Sequence, residues 1–253
     1  MAEAPLSSEV PLVLLTRPHL CVLWKPPGWT VLADSVMEDE GGEEKQEQEQ
    51  LSPPESYGLS QPIEDWVKQH LGPQSAITCN AAARFGLLHR LDRDTSGALL
   101  VALTYQGYHE AQLQFAARRV RKEYVCLCHG RLEPGPRLID VPLQRKDRYR
   151  SIAVHSSGGG NGSTGGGNRI DAARTEVGAV GCLLCGEGEL LSLAELRLHT
   201  GRMHQIRAHL SSEGHPLVSD PRYGGKTPPW CRRVFLHSSR IGLCLPCDFE
   251  HPI

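Results

Sequence analysis

The 253-residue sequence lacks any apolar run approaching the roughly eighteen residues that read as a membrane-crossing helix, which excludes helical spans. Met1 to Pro11 has no basic segment followed by an apolar stretch, so no secretory signal is expected. The first sixteen residues contain no Lys or Arg, which speaks against an organellar presequence. No internal repeat is present, so solenoid and propeller arrays are set aside. What remains is a globular composition, 40% hydrophobic and 22% charged, in a chain long enough to bury a substantial core. Cytoplasm is the default compartment, with nucleus and organelle left open.

A strong net charge is also missing, but the value of −2 hides an uneven distribution. Residues 38–49 carry seven carboxylates (Glu38, Asp39, Glu40, Glu43, Glu44, Glu47, Glu49) and one base, Lys45. Setting that stretch aside leaves 26 of the 27 basic residues against 22 of the 29 acidic ones. Basic residues cluster at Arg118, Arg119, Arg121 and Lys122, and again at Arg145, Lys146, Arg148 and Arg150. Such clusters suit a polyanion, because neutralised phosphates release counterions; solvated surface charge is the plainer alternative. The nine cysteines without an export signal suggest free thiols in a reducing compartment. Cys182/Cys185 and Cys244/Cys247 have CxxC spacing and could form a four-thiolate zinc site if folding joined them. Their separation exceeds that of compact zinc ribbons, so incidental cysteines are favoured and no metal is expected.

Two stretches have little to pack. Residues 34–60 are acidic and Gln-rich, and residues 156–168 (SSGGGNGSTGGGN) are a Gly/Ser tract. Both are read as flexible surface insertions within one domain spanning residues 1–253. Elsewhere the pattern alternates. Leu20–Leu23 is an apolar run closed by Lys25-Pro26-Pro27-Gly28, and Ala98–Leu103 reads as a buried strand. Thr104 can cap a helix carrying Tyr108, Ala111 and Phe115. Lys122–Cys128 and Leu190–Leu198 read as strands. Thr200 can cap a helix with Met203, Ile206 and Leu210 inward, ending near Gly214. Strands interleaved with a few helices predict an α+β fold, a central mixed, largely antiparallel sheet with flanking helices.

Three segments carry candidate chemistry. In His89-Arg90-Leu91-Asp92-Arg93-Asp94-Thr95-Ser96-Gly97, Asp92 sits between two arginines on a loop before a rigid strand. That suits a carboxylate kept ionised as a nucleophile, or a polar loop that satisfies its own backbone. In Thr200–Leu210, Arg207 shares the apolar face of its helix, so its guanidinium needs a carboxylate, for which Asp92 is the candidate, or must reach water. In Lys122-Glu123-Tyr124, Tyr124 shares a strand face with the small residues Cys126 and Cys128, leaving room beside the ring; a core tyrosine with a satisfied hydroxyl is the alternative. His89, His204 and His209 could suggest metal or acid–base work and are read as structural.

Together these segments resemble the RluA-type family of RNA pseudouridine synthases. The H-R-L-D-x-x-T-S-G signature is complete at residues 89–97, K-x-Y at Lys122 and Tyr124, and T-G-R-x-H-Q-I-R-x-H-L at 200–210. GHPLVSDPRYG (214–224), Phe235-Leu236-His237 and Lys25-Pro26 look like the family's further motifs, so the likeness extends over roughly 12–252. The resemblance implies a cofactor-free isomerisation of uridine in tRNA, rRNA or mRNA by a monomer that needs no membrane. Asp92 matches the nucleophile that forms a covalent adduct, through attack at the anomeric carbon or, less favoured, addition to the base. Arg207 matches the arginine paired with it, and Tyr124 the tyrosine that stacks on the base and assists proton transfer. Leu236 matches a pocket leucine, and Arg90 the residue that fills the gap left by the extruded base. His89, Thr95, Lys122 and Arg202, in the same motifs, are carried as substrate or RNA contacts. The sequence departs from the pattern at both ends. Too little chain precedes the KP motif for the small RNA-binding domain often found there, and the chain stops at His251-Pro252-Ile253, where a tail is expected. A non-catalytic RNA-binding or RNA-chaperone protein on the same scaffold and a zinc-dependent module are the competing readings.

Overall fold

The computed structural model describes residues 9–31, 62–147, 150–155 and 169–245. The two insertions expected at 34–60 and 156–168, residues 1–8, Arg148, Cys247 and the C-terminal His251-Pro252-Ile253 lie outside the described residues. The chain forms two compact units, one drawn from Met1–Arg93 and Leu99–Tyr108, the other from Asp94–Ala98 and His109–Ile253. Among the described residues no helix is long and apolar enough to cross a membrane.

In the first unit, β1 (Leu12–Thr16) and β2 (Leu20–Lys25) form an antiparallel hairpin, Leu12 opposite Trp24 and Thr16 opposite Cys21. β2 ends where Pro26 and Pro27 remove donors and Gly28 takes a φ of 86°. The outer residues of β3 (Ser96–Ala102) follow β2 in strand order. β3 is buried throughout, as a continuous apolar run requires. Helix α1 (Ile63–Leu71) buries Ile63 and Val67 on one face and leads into short 3-10 turns up to Gly86. Helix α2 (Tyr105–Ala116) starts as expected: the Thr104 hydroxyl accepts the Gly107 N–H at 3.1 Å.

In the second unit, the first residues of β3 pair in parallel with β11 (Leu236–Gly242), His237 opposite Ser96 and Ser238 opposite Gly97. From β11 the order runs through β4 (Arg121–His129), β10 (Leu190–Leu198), β9 (Arg174–Leu184) and β5 (Arg137–Asp140). All of these later pairings are antiparallel. The sheet is therefore mixed and largely antiparallel, the α+β architecture expected from the sequence. Period-two burial marks its inner face: Tyr124, Cys126 and Cys128 on β4, and Ser192, Ala194, Leu196 and Leu198 on β10. Three shorter strands, β6 (Leu143–Asp147), β7 (Arg150–Ala153) and β8 (Ile170–Asp171), make a separate small sheet.

Helix α3 (Gln205–Ser212) departs from expectation at its start. Thr200 does not cap it. His204 stands at the N-cap in a left-handed conformation (φ 53°), and Met203 precedes the helix. The cause is the Gln205 side chain. Its oxygen accepts from Thr200 Oγ1 (2.7 Å) and Arg202 N (3.0 Å), and its amide donates to Arg174 O and Thr175 Oγ1 (3.0 Å each). A glutamine so fully engaged fixes the 200–204 turn as a loop anchored to β9. The far end behaves as anticipated, with Gly214 (φ 82°) just past the last turn.

Candidate active site

The Asp92 loop lies in the first unit and is pinned on both sides. Before it, His89 Nε2 accepts the Leu100 N–H at 3.0 Å, tying the loop to β3. After it, the Arg93 carbonyl accepts from Lys25 Nζ and from Gly28 N, each at 2.9 Å. Lys25 is fully buried, and its ammonium also donates to the Pro26 carbonyl at 2.9 Å. A buried ammonium needs such acceptors, and two carbonyls convert its charge into a clamp on the loop. Asp92 itself is half-buried, Leu91 is buried, and Arg90 is exposed. From the sequence, Lys25-Pro26 reads as a turn and as a likeness to a family motif; that the lysine grips the backbone beside Asp92 needed coordinates.

Thr95 is buried just before β3, in the second unit. Gly97, at φ 118°, has no room for a side chain: a Cβ would stand 2.2 Å from the Ser238 carbonyl oxygen. Glycine is what lets β3 reach β11 there. Ser96 Oγ and His237 Nδ1, 3.0 Å apart, reinforce the pairing, and burial together with nearby Arg233 pushes the imidazole pKa down.

Tyr124 is 6% exposed and faces the same side of the sheet as Cys126. Leu236, opposite Cys126 on β11, shares that side, one pleat along from Tyr124. The structure thus brings the sequence-predicted tyrosine and leucine onto one buried surface. Lys122, two residues before Tyr124 on β4, points its ammonium at the Thr200 carbonyl (3.2 Å), and burial lowers its pKa. Arg202 leans on Asp171 (3.4 Å) and on the Ala172 carbonyl (3.3 Å), half-buried at the entrance to α3.

Arg207 is buried on α3, as its position in the helix predicts. Within its unit the carboxylate against it is Asp220, which the sequence reading did not single out. Nε donates to Oδ2 at 2.7 Å and Nη2 to Oδ1 at 2.8 Å, a parallel two-point pair. The side chains are 9% and 0% exposed. The Tyr223 ring lies 4.9 Å from the guanidinium carbon, and Tyr223 is itself fixed through its hydroxyl to Ser151 N and O (3.0 Å each) and His204 Nδ1 (3.1 Å). Asp92, the partner expected from the sequence, belongs to the other unit.

The histidine of the same helix, His209, is buried with both ring nitrogens used: Nε2 donates to the Val141 carbonyl and Nδ1 accepts from Thr175 Oγ1, each at 2.8 Å. Burial, the main cause, lowers its pKa. Cys182 and Cys244 are exposed and Cys185 is half-buried.

A family model described as RNA pseudouridylate synthase matches residues 19–212, a span that holds Asp92, Tyr124 and Arg207. The chain belongs to the RNA pseudouridylate synthase family. Within the family it is of the RluA type. A Chloroflexus aurantiacus protein named as an RNA pseudouridine synthase is 41% identical over 166 residues, 64% of this chain and 46% of that one. Ribosomal large subunit pseudouridine synthase D of Nitrosomonas europaea is 36% identical over 146 residues, 57% of this chain and 37% of its own length. The chain therefore spans a third to a half of the curated relatives it matches. Among solved structures, human RNA pseudouridylate synthase domain containing 1 is similar with a TM-score of 0.63 at 22% identity, covering 96% of this chain and 82% of that one. Human RNA pseudouridylate synthase domain containing 4 follows at 0.56 and 20%, covering 94% and 90%. Those two likenesses concern the fold.

Proposed function

We propose that this chain is an RNA pseudouridine synthase that isomerises uridine in structured RNA through a covalent Asp92 adduct on a flipped-out nucleotide. The observation that carries the proposal is the family match over 19–212, which contains all three candidate catalytic residues in intact motifs. In this reading both units serve one catalytic domain. The Asp92 carboxylate attacks C1′ of the ribose, the C1′–N1 bond breaks, and the uracil leaves with the bonding electrons. The base turns, its C5 attacks C1′, and the aspartyl ester bond breaks to return the carboxylate. The proton on C5 passes to solvent and N1 takes one up, so no cofactor or oxidant is needed.

The roles follow from charge and shape. C1′ is a poor electrophile, so the nucleophile must be ionised and held; the anchors on either side of Asp92 supply the holding. Arg207 keeps that carboxylate charged and stabilises negative charge as it moves. Tyr124 gives the extruded base a stacking face and assists proton transfer, and Leu236 extends the apolar wall. Extrusion costs a few kcal/mol, which Arg90 helps to offset by filling the gap in the stack. Exposed Arg118, Arg119, Arg145 and Lys146 suit phosphate contacts that add affinity without reading sequence. Arg202 sits at the turn leading into α3, Lys122 reaches that turn from β4, and His89 and Thr95 frame the Asp92 loop; each is a candidate for holding these segments against RNA.

The test is pseudouridine mapping of total RNA from cells lacking the gene and re-expressing either wild type or Asp92→Asn. One or a few sites should vanish with the gene and return only with wild type, which also identifies the target as tRNA, rRNA or mRNA. Restoration by Asp92→Asn would sink the mechanism.

A further inference from the structure

The geometry points to Asp220 as a positioning residue for the reaction: its carboxylate sets the plane of the Arg207 guanidinium. The inference rests on the proposed synthase activity, in which Arg207 serves the nucleophile.

Arg207 carries three nitrogens. Asp220 takes Nε and Nη2 in a fork 2.7 and 2.8 Å long, so the rotation of the planar group about its stem is fixed by two bonds rather than one. The Tyr223 ring, 4.9 Å from the guanidinium carbon, is a second restraint, in contact with the cation.

Asp220 can act as a fixed reference because its own backbone is unusually constrained. Its carbonyl accepts from Tyr223 N (3.0 Å) and Gly225 N (2.8 Å), and its N–H donates to Leu217 O (3.2 Å). Ser219, just before it, takes a left-handed backbone (φ 61°), and its hydroxyl donates to the Cys231 carbonyl at 2.5 Å. At Gly225 a Cβ would stand 1.8 Å from the Leu217 carbonyl oxygen, so the loop closes on itself as tightly as backbone allows. A strained residue held beside a buried charge pair is a feature that folding alone does not require. A methionine or leucine in place of each partner would bury as well without either charge. Retaining the pair makes sense if the orientation of the guanidinium matters to the chemistry.

The experiment measures tritium release from total RNA labelled with [5-³H]uridine and prepared from cells lacking the gene. Rates are normalised to the folded fraction by near-ultraviolet circular dichroism. Asp220→Asn keeps the side-chain shape but offers one acceptor where two are used; it should lower kcat by about 100-fold, with KM within about twofold of wild type. Asp220→Glu keeps the charge but shifts the fork by one methylene; per folded molecule it should still lose about tenfold in kcat. If Asp220→Asn does not fold, the Glu variant decides alone. Wild-type kcat in the folded Glu variant, or a loss that falls on KM in either variant, overturns the inference. The two levels of failure are separable. No release by wild type above that of Asp92→Asn defeats the synthase reading itself, whereas an active wild type with an unimpaired Asp220 variant defeats only the positioning role.

Discussion

Replacing Arg207 by Met is expected to destabilise the protein severely, and the reason lies in what stays behind. Methionine can follow the path of the arginine stem, so lost packing is small. Asp220, however, would be left with no exposed side-chain surface and without the two donors that now satisfy it at 2.7 and 2.8 Å. Removing one partner of a buried pair costs about 3–5 kcal/mol, because the other charge is orphaned in a medium that solvates it poorly. For a chain of this size each kcal/mol moves Tm by about 2–4 °C, so a fall of about 6–20 °C is expected. The double variant Arg207→Met/Asp220→Leu removes the orphan and should lie within about 1.5 kcal/mol of wild type, though inactive. Urea titrations followed by far-ultraviolet circular dichroism, with unchanged slopes, give both energies and their coupling. A single variant that loses less than about 1 kcal/mol, or a double variant no better than the single, would refute the claim that each charge offsets the burial of the other.

Two further outcomes follow from buried groups away from this pair. His209 is held neutral between Val141 and Thr175 with its pKa lowered by burial, so below the ordinary value of about 6.5 the unfolded chain binds a proton that the folded chain resists. Stability should therefore fall as pH drops through that range, and the urea midpoint of His209→Gln should change less between pH 7.5 and 5.5 than that of wild type; equal changes would show that the histidine is not the titrating group. Gly97→Ala would force a methyl to within 2.2 Å of the Ser238 carbonyl at a φ of 118°, and should cost about 3 kcal/mol or more by parting β3 from β11. A thermal midpoint within a degree of wild type would contradict that.

Much of the fold was legible because strands announce themselves by period. β10 occupies Leu190–Leu198, the range its alternation marks out, and β4 extends the predicted Lys122–Cys128 by one residue at each end. Helix α3 was legible only in its second half. Its start is decided by Gln205 reaching Thr175 thirty residues away, and no local pattern reveals that the Thr200 hydroxyl is spent on a side chain rather than on a cap. The short strands β5 to β8 carry too few residues for a periodic signal.

At the candidate site, the residues within continuous motifs were visible in the sequence; what holds them was not. Arg207 announced itself as an inward cation, but Asp220 lies thirteen positions away across an irregular loop, and its partner cannot be read from spacing. Lys25 shows the same divide. Lysine before two prolines reads as a turn, and only folding turns its ammonium toward the Arg93 carbonyl.

The polypeptide changes unit after Arg93, after Ala98 and again after Tyr108. Neither unit is thus an uninterrupted stretch of chain: a cut after Ala98 would split β3, a cut after Tyr108 would split α2, and a cut at any of the three points would leave each fragment with parts of a unit it cannot complete. Asp92 stands one residue before the first of these crossings. A protease nick or a peptide tag placed there would loosen the first of the three crossings at the place where the proposed chemistry begins.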